Sequence, residues 1–343
     1  MPPAAEPLSR RLRRQAAWCT ELGSPFYASL LESTADDLEM EGPAMDVLSG
    51  FEEEGAEAAL ALRLMGAVHR LVLEDAVPDL AVRYPSSGGD GDATAAWPAF
   101  RQALADHRER IRALLASGCQ TNEVGRSAAL LGGFLEVAHR AKKPLRILEI
   151  GASAGFNLRW DRYRYESSEG AWGDESSHVR FDHSYEVSPP FNRTVDVVER
   201  KGCDLNPIDA ATAEGALTLR SFVWADQLGR MAQLDCAIET AAEIPVDVER
   251  IAAADFLERE LARPRDDVAT VVFHSVFMQY VKHSERERIL AVLEREGPHH
   301  LSLEPGATAD TRFEVRLDGE LLGTSMAHGS RVRWLSTAPR DSG

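Results

Sequence analysis

Apolar residues in the first part of the chain return at helical intervals. Leu60, Leu64, Val68 and Leu71 are spaced by four, four and three positions. Phe100, Leu104, Ile111 and Leu114 share one helical face, as do Leu130, Phe134, Val137 and Ala138. The spacing predicts an α-helical region over residues 1–143, broken by the loop Pro85-Ser86-Ser87-Gly88-Gly89-Asp90-Gly91-Asp92. The pattern changes at Lys142-Lys143-Pro144. Strand-like runs at 145–150, 194–199, 246–251, 269–274 and 300–304 then alternate with helical ones at 210–231 and 284–296. Two further runs, 312–317 and 331–335, are joined by a glycine-containing segment and read as a hairpin. Alternating strands and helices fold as right-handed parallel βαβ units. The expected fold class is α/β. A mostly parallel sheet spans 144–343, carries an insertion at about 161–192, and ends in an antiparallel hairpin.

Composition narrows the partners. The 343 residues are 44 % hydrophobic and 27 % charged, which is the make-up of a globular chain with a sizeable core. A formal net charge of −17 disfavours a nucleic-acid partner, because phosphate recognition needs a basic surface. Small molecules or a protein surface are the expected partners. Cys19, Cys119, Cys203 and Cys236 are scattered, with no paired spacing, so neither a metal site nor a disulfide framework is expected. The basic N-terminal residues Arg10, Arg11, Arg13 and Arg14 are not followed by an apolar core, and no run approaches a membrane span. A cytoplasmic protein with no membrane partner is expected.

Gly151-Ala152-Ser153-Ala154-Gly155 follows a strand and precedes an expected helix. Glycines at such a turn admit a ligand close to the backbone, and the helix start adds unpaired N–H groups. In a dinucleotide fingerprint the middle glycine admits the pyrophosphate; here that position is Ser153. S-adenosylmethionine has no pyrophosphate and tolerates the change. Glu149 at the strand end suits the ammonium of a bound amino acid, and Asn157 follows the turn. The same residues also satisfy the G-x-S-x-G elbow of a serine hydrolase, with Ser153, Asp255 and either His274 or His299 in hydrolase order. The helical character of the preceding region and the absence of an HGGG-like segment weigh against that alternative.

Ligands of open parallel sheets bind beyond the carboxyl ends of the strands. Asp204 follows the second strand and could accept ribose hydroxyls, although it lies 55 residues after Glu149. Asp255 follows the third and could accept from an adenine amino group, with Phe256 packing on the ring. His274 closes the fourth strand, with Gln279 and Tyr280 beyond it, and Glu304 closes the fifth.

Long runs of the chain resemble a bacterial family of uncharacterised proteins, a domain of unknown function. They are GSPFYASLL (23–31), LRLMGAVHRLVLEDAVPDLAVRYPS (62–86), QTNEVGR (120–126), LEIGASAGFNLRWDRYRY (148–165), CDLNPID (203–209), VWADQLGRMAQL (223–234) and FHSVFMQY (273–280). Residues 144–336 also resemble class I S-adenosylmethionine-dependent methyltransferases, which share the count of five parallel units closed by a hairpin. That resemblance implies a Rossmann-like fold with Glu149, Gly151 and Gly155 in the first cofactor motif. It makes Asp204 the ribose-binding acid and Asp255 the adenine-binding acid.

Methyl transfer is a direct displacement, so the protein chiefly aligns donor and acceptor, and a base is needed only for a protonated acceptor. His274 is the candidate base, with Gln279 or Tyr280 orienting the acceptor. Gln120, Asn122, Glu123, Arg126, Asp161, Arg162 and Tyr163 are placed at the pocket mouth on the substrate side, the first four as a lid. His69 and Tyr84 are possible contributors from the helical region. A nucleoside-type ligand bound without turnover is the remaining alternative.

Overall fold

The computed structural model describes residues 6–55, 58–116, 118–119, 121–263, 265–306 and 312–335. The helices are α1 (Leu8–Glu21), α2 (Pro25–Glu39), α3 (Pro43–Leu48), α4 (Leu60–Leu73), α5 (Pro78–Ala81), α6 (Ala93–Asp106), α7 (Arg108–Leu115), α8 (Arg126–Ala141), α9 (Ala213–Ser221), α10 (Leu228–Glu243), α11 (Ala253–Leu261) and α12 (His283–Glu296). Among the described residues, none is long and apolar enough to cross a membrane. The chain forms two compact units, one of residues 1–121 with 212–232, the other of 122–211 with 233–343. Helix α8, counted with the helical region from its periodicity, thus belongs to the sheet-bearing unit, and α9 belongs to the helical one.

In the helical unit, α2, α3 and α5 each start on proline, whose missing N–H costs nothing in a first turn. Asp92 caps α6 by accepting from the Ala95 amide at 3.0 Å. Leu64, Val68, Leu71, Phe100, Leu104 and Ile111 are fully buried, so the helical periodicity marks a core. The single helix expected over 210–231 is broken between Ser221 and Leu228. The break buries Trp224 and lets the Asp226 carboxylate accept from the Ser24 hydroxyl at 2.5 Å and the Phe26 amide at 3.0 Å.

The second unit is built on a nine-stranded sheet. Its strands include β1 (Leu145–Ile150), β5 (Tyr185–Val187), β6 (Val197–Asp204), β7 (Asp247–Arg250), β8 (Ala269–Ser275), β9 (His299–Pro305), β10 (Phe313–Leu317), β11 (Glu320–Ser325) and β12 (Val332–Trp334). The order is β5-β12-β11-β10-β9-β8-β1-β6-β7. The run β7-β6-β1-β8-β9 is parallel throughout, and the chain moves outward from β1 first one way and then the other. All six residues of β1 are buried, as a central strand requires. On one face α11 and α12 cover Leu148, Ile150 and Val272. On the other, α8 lies close because a side chain at Gly133 would meet Leu301 at 2.2 Å and one at Gly132 would meet Trp334 at 2.3 Å.

Four local expectations change. The second strand runs over 197–204 instead of 194–199, carrying Arg200 opposite Asp161 at 3.0 Å. The expected hairpin is a three-stranded meander: β11, unanticipated, pairs antiparallel with both β10 and β12. The helix expected after the glycine turn is a six-residue 3-10 turn, Asn157–Arg162. There Arg159 reaches back to the carbonyls of Ala154 and Gly155, at 3.3 and 2.8 Å. The inserted segment is β-structured: β2 (Arg164–Ser167), β3 (Gly170–Gly173) and β4 (Arg180–Phe181) form a small sheet ordered β3-β2-β4, and β5 joins the large sheet parallel to β12.

Candidate functional site

The reversal of strand order lies between β1 and β8, and their carboxyl ends are where an open parallel sheet places a ligand. The loop after β1 is strapped to β6. The amides of Gly151 and Ala152 both donate to the Cys203 carbonyl, at 2.9 and 3.0 Å. Ser153 is left-handed (φ 51°), and its amide donates to Asp204 Oδ2 at 2.9 Å. Asp204 Oδ1 accepts from the Asn206 amide at 2.8 Å. Both oxygens of the expected ribose acid therefore already satisfy backbone donors. Gly151 (φ 72°) lies beneath the Phe277 ring, which a β-carbon would meet at 2.2 Å. Gly155 (φ 69°) lies against Val246 and Val248.

Glu149 is 1 % exposed, and its Oε2 has no hydrogen-bond partner among the described residues. Burial is the main cause that lifts its carboxyl well above the ordinary range, and the nearby Asp204 lifts it further. A hydrogen bond from Asn157, and Arg126 and Arg159 nearby, act in the opposite sense. Burial thus works against the charged form. Asn157 is itself held by the Ser127 hydroxyl, which donates to Asn157 Oδ1 at 2.7 Å.

Residues 122–126 lie in the same unit as the glycine turn. Asn122 Oδ1 accepts from the Phe156 amide at 3.0 Å, and Glu123 Oε1 accepts from the Gly125 amide at 3.2 Å. His328 Nδ1 stands 3.3 Å from Glu123 Oε2. Arg126 donates to the carbonyls of Ala327 and Ser275, each at 3.2 Å. Gln120 lies outside the described residues. Asp161 is paired with Arg200 and with Arg162, and burial raises its carboxyl despite those cations. The Tyr163 hydroxyl donates to the Phe156 carbonyl at 2.7 Å. Asn122 and Tyr163 thus brace Phe156, the residue that follows the turn. Glu123 is engaged with Gly125 and His328 and Asp161 with Arg200, while Arg162 is exposed.

His274 does not face Glu149. In register Glu149 pairs with Phe273, so His274 points to the opposite sheet face. There its Nδ1 lies 2.7 Å from Glu304 Oε1 and its Nε2 lies 3.0 Å from His300 Nε2. Burial lowers His300 to about 4, with His274 beside it acting the same way. Both ring nitrogens of His274 are engaged, which makes it a satisfied histidine rather than a base open to an acceptor. Phe256, on α11, is fully buried in the core between that helix and the sheet and offers no face to an adenine ring. Asp255 is exposed and paired with Arg288 at 2.6 Å. Gln279 and Tyr280 are exposed on a 3-10 turn beyond β8. His299 is paired with Asp318 at the amino end of β9, so neither histidine of the hydrolase alternative stands ready for Ser153.

In the helical unit, His69 is fully buried between the Ser221 carbonyl (3.1 Å) and Ser86 Oγ (2.8 Å), and burial lowers it to about 4. Tyr84 is equally buried, and both belong to that core. A cleft of about 370 Å³ lies at the amino ends of β1, β8 and β9, opposite the turn. Among its lining residues, Arg146 is already paired with Glu199 and Glu260, and Arg265 with Asp267.

Sequence reasoning missed Ser127, Arg159, Val276, Phe277 and His300. Only the even spacing of His300 and Glu304 on one strand hinted that both share a face. The fold and this carboxyl-end site define a Rossmann-like α/β protein. The chain belongs to the family DUF2332, described as an uncharacterised protein conserved in bacteria, whose match spans residues 9–334. No curated protein matches the chain. No solved structure matches it.

Proposed function

We propose that the protein is an S-adenosylmethionine-dependent methyltransferase acting on a small molecule. One observation carries this reading: a buried carboxyl with an unpartnered oxygen, Glu149, at the carboxyl end of the first strand in a β7-β6-β1-β8-β9 parallel order. The residues present fit the amino-acid end of that cofactor, whose ammonium would satisfy Glu149 Oε2. At its nucleoside end, each Asp204 oxygen takes one amide and keeps a lone pair for a ribose hydroxyl, whereas Phe256 is in the core and offers nothing to the adenine.

When bound, the cofactor supplies a methyl group already activated on sulfonium. The chain's own residues orient and exclude water. Asn157, set by Ser127, orients Glu149, which gives up its proton on meeting an ammonium. Arg126 holds the end of β8 through the Ser275 carbonyl. Gln279 and Tyr280, exposed on the turn beyond β8, would orient an acceptor. The saturation of His274 favours an acceptor that needs no base, and it equally favours a second reading, a nucleoside-type ligand bound without turnover. A net charge of −17 supports a small-molecule acceptor over nucleic acid.

Thermal shift and calorimetry with S-adenosylmethionine and its demethylated product test the reading. Ligand at a hundred times Kd would stabilise the fold by about 2.7 kcal/mol. Glu149→Gln is expected to remove that shift. No shift with either ligand overturns the assignment.

A further inference from the structure

Two successive amides of the loop that follows β8 are held by one oxygen. Glu304 Oε1 accepts from the Phe277 amide at 2.9 Å and the Met278 amide at 3.0 Å, and lies 2.7 Å from His274 Nδ1. His274 is in turn fixed by His300. Just before these amides, Val276 has φ 51°. A β-branched residue in the left-handed region is strained, so neighbouring contacts must impose the conformation. They are visible: the Val276 amide donates to the Leu303 carbonyl at 2.7 Å, and Ser275 is held by Arg126. The outcome is that the half-buried Phe277 ring lies on Gly151, in the space a glycine turn would otherwise leave to a ligand.

We infer that Phe277 closes the ligand side of the glycine turn and that Glu304 is the positioning residue that keeps it there. The inference rests on the proposed cofactor site and adds a gate to it. A ligand approaching Gly151 displaces the ring, and the work of displacement is set by the hold of Glu304 on the two amides. Removing Phe277 therefore strengthens binding, the reverse of what loss of a ligand-contacting or merely packing residue does.

The test combines peptide-resolved hydrogen exchange over residues 273–282 with calorimetric binding of S-adenosylmethionine and its demethylated product. It is run on the full chain and on E304A, E304Q and F277A. E304A is expected to speed exchange at the Phe277 and Met278 amides at least about tenfold, while E304Q, which keeps an acceptor oxygen, stays near wild type. F277A and E304A are expected to bind at least about fivefold more tightly than wild type. Unchanged exchange in E304A, or binding by F277A no tighter than by wild type, overturns the inference. Binding by F277A alone supports it. Absence of binding in every variant overturns the cofactor reading and with it the gate, while the exchange measurement still decides whether Glu304 holds the loop.

Discussion

The hydroxyl of Ser127 donates to Asn157 Oδ1, and this one contact fixes which end of the Asn157 amide faces Glu149. The amide N–H group is left for the carboxyl, so a serine on α8 determines how an acid on β1 is presented. Ser127→Ala removes a buried hydrogen bond and leaves Asn157 Oδ1 to find another donor. It is expected to cost about 1–3 kcal/mol in urea unfolding. It should also weaken any ligand that depends on Glu149. An unchanged unfolding midpoint would show that the amide is oriented by something else.

Glu149 couples ligand binding to protons. Its folded-state pKa is raised, chiefly by burial, so the empty site holds a proton that the unfolded chain releases at lower pH. A cationic group on Oε2 favours the carboxylate and expels that proton. Binding of S-adenosylmethionine should release up to about one proton, and affinity should rise with pH below the folded-state value. Calorimetry in buffers of different ionisation enthalpy reads the number directly; a value near zero rejects Glu149 as the ammonium partner.

Histidines give the fold an acid-sensitive range. His69 is lowered from 6.5 to about 4, principally by burial, and His300 is lowered to a similar value. Below pH 6.5 the unfolded chain binds protons that these folded-state rings refuse. Their contribution to stability is thus complete above 6.5 and is lost as pH falls toward about 4. For His69 the loss is about 3 kcal/mol at most. Comparing His69→Gln with wild type across that range should show a flatter dependence in the variant; parallel curves would contradict the assignment.

Gly151 and Phe277 should behave as one unit. Gly151→Ala meets both a left-handed φ of 72° and the ring of Phe277. The expected cost is roughly 2–4 kcal/mol. In the F277A background the collision disappears and only the backbone strain remains. A double-mutant cycle should give a favourable coupling of about 1–3 kcal/mol. Additive effects would place the ring elsewhere in solution.

Asp226 serves α2 from 200 positions away, accepting at Phe26 near the helix start and from Ser24. Asp226→Ala should cost about 1–2 kcal/mol, as loss of a helix cap does. Calorimetric unfolding checks it, and a change within error would show that water replaces the carboxylate.

The centre of the parallel sheet was readable because β1 and β8 are apolar runs. β1 is buried at every residue, and β8 and β9 lie within a residue or so of where their patterns put them. Other features depended on partners the pattern cannot name. Asp318-Gly319 is a strong hairpin signal, and both residues do have positive φ. Gly323 and Thr324 interrupt the apolar alternation of the strand it opens, which hides that strand in the sequence. The break after Ser221 owes its existence to Asp226 meeting Ser24, a contact across most of the chain. In the site, Glu149, Asn157 and the glycines were legible because they are neighbours in sequence. That His274 turns away from Glu149 follows only from the pairing of Glu149 with Phe273. That Phe277 lies on Gly151 joins residues 126 positions apart, and no local pattern carries such a contact.

The inserted segment has a consequence at the far side of the sheet. Its last strand, β5, pairs with β12 and so becomes the outermost strand of the large sheet. Glu186 on β5 gathers Arg312, Arg331 and Arg333, which makes that border short and charged. Without β5, β12 would present its open backbone groups to other chains, and such borders template aggregation. A segment that looks like decoration in the middle of the sequence thus covers that border, and a variant lacking it should scatter light at concentrations where the intact chain stays clear.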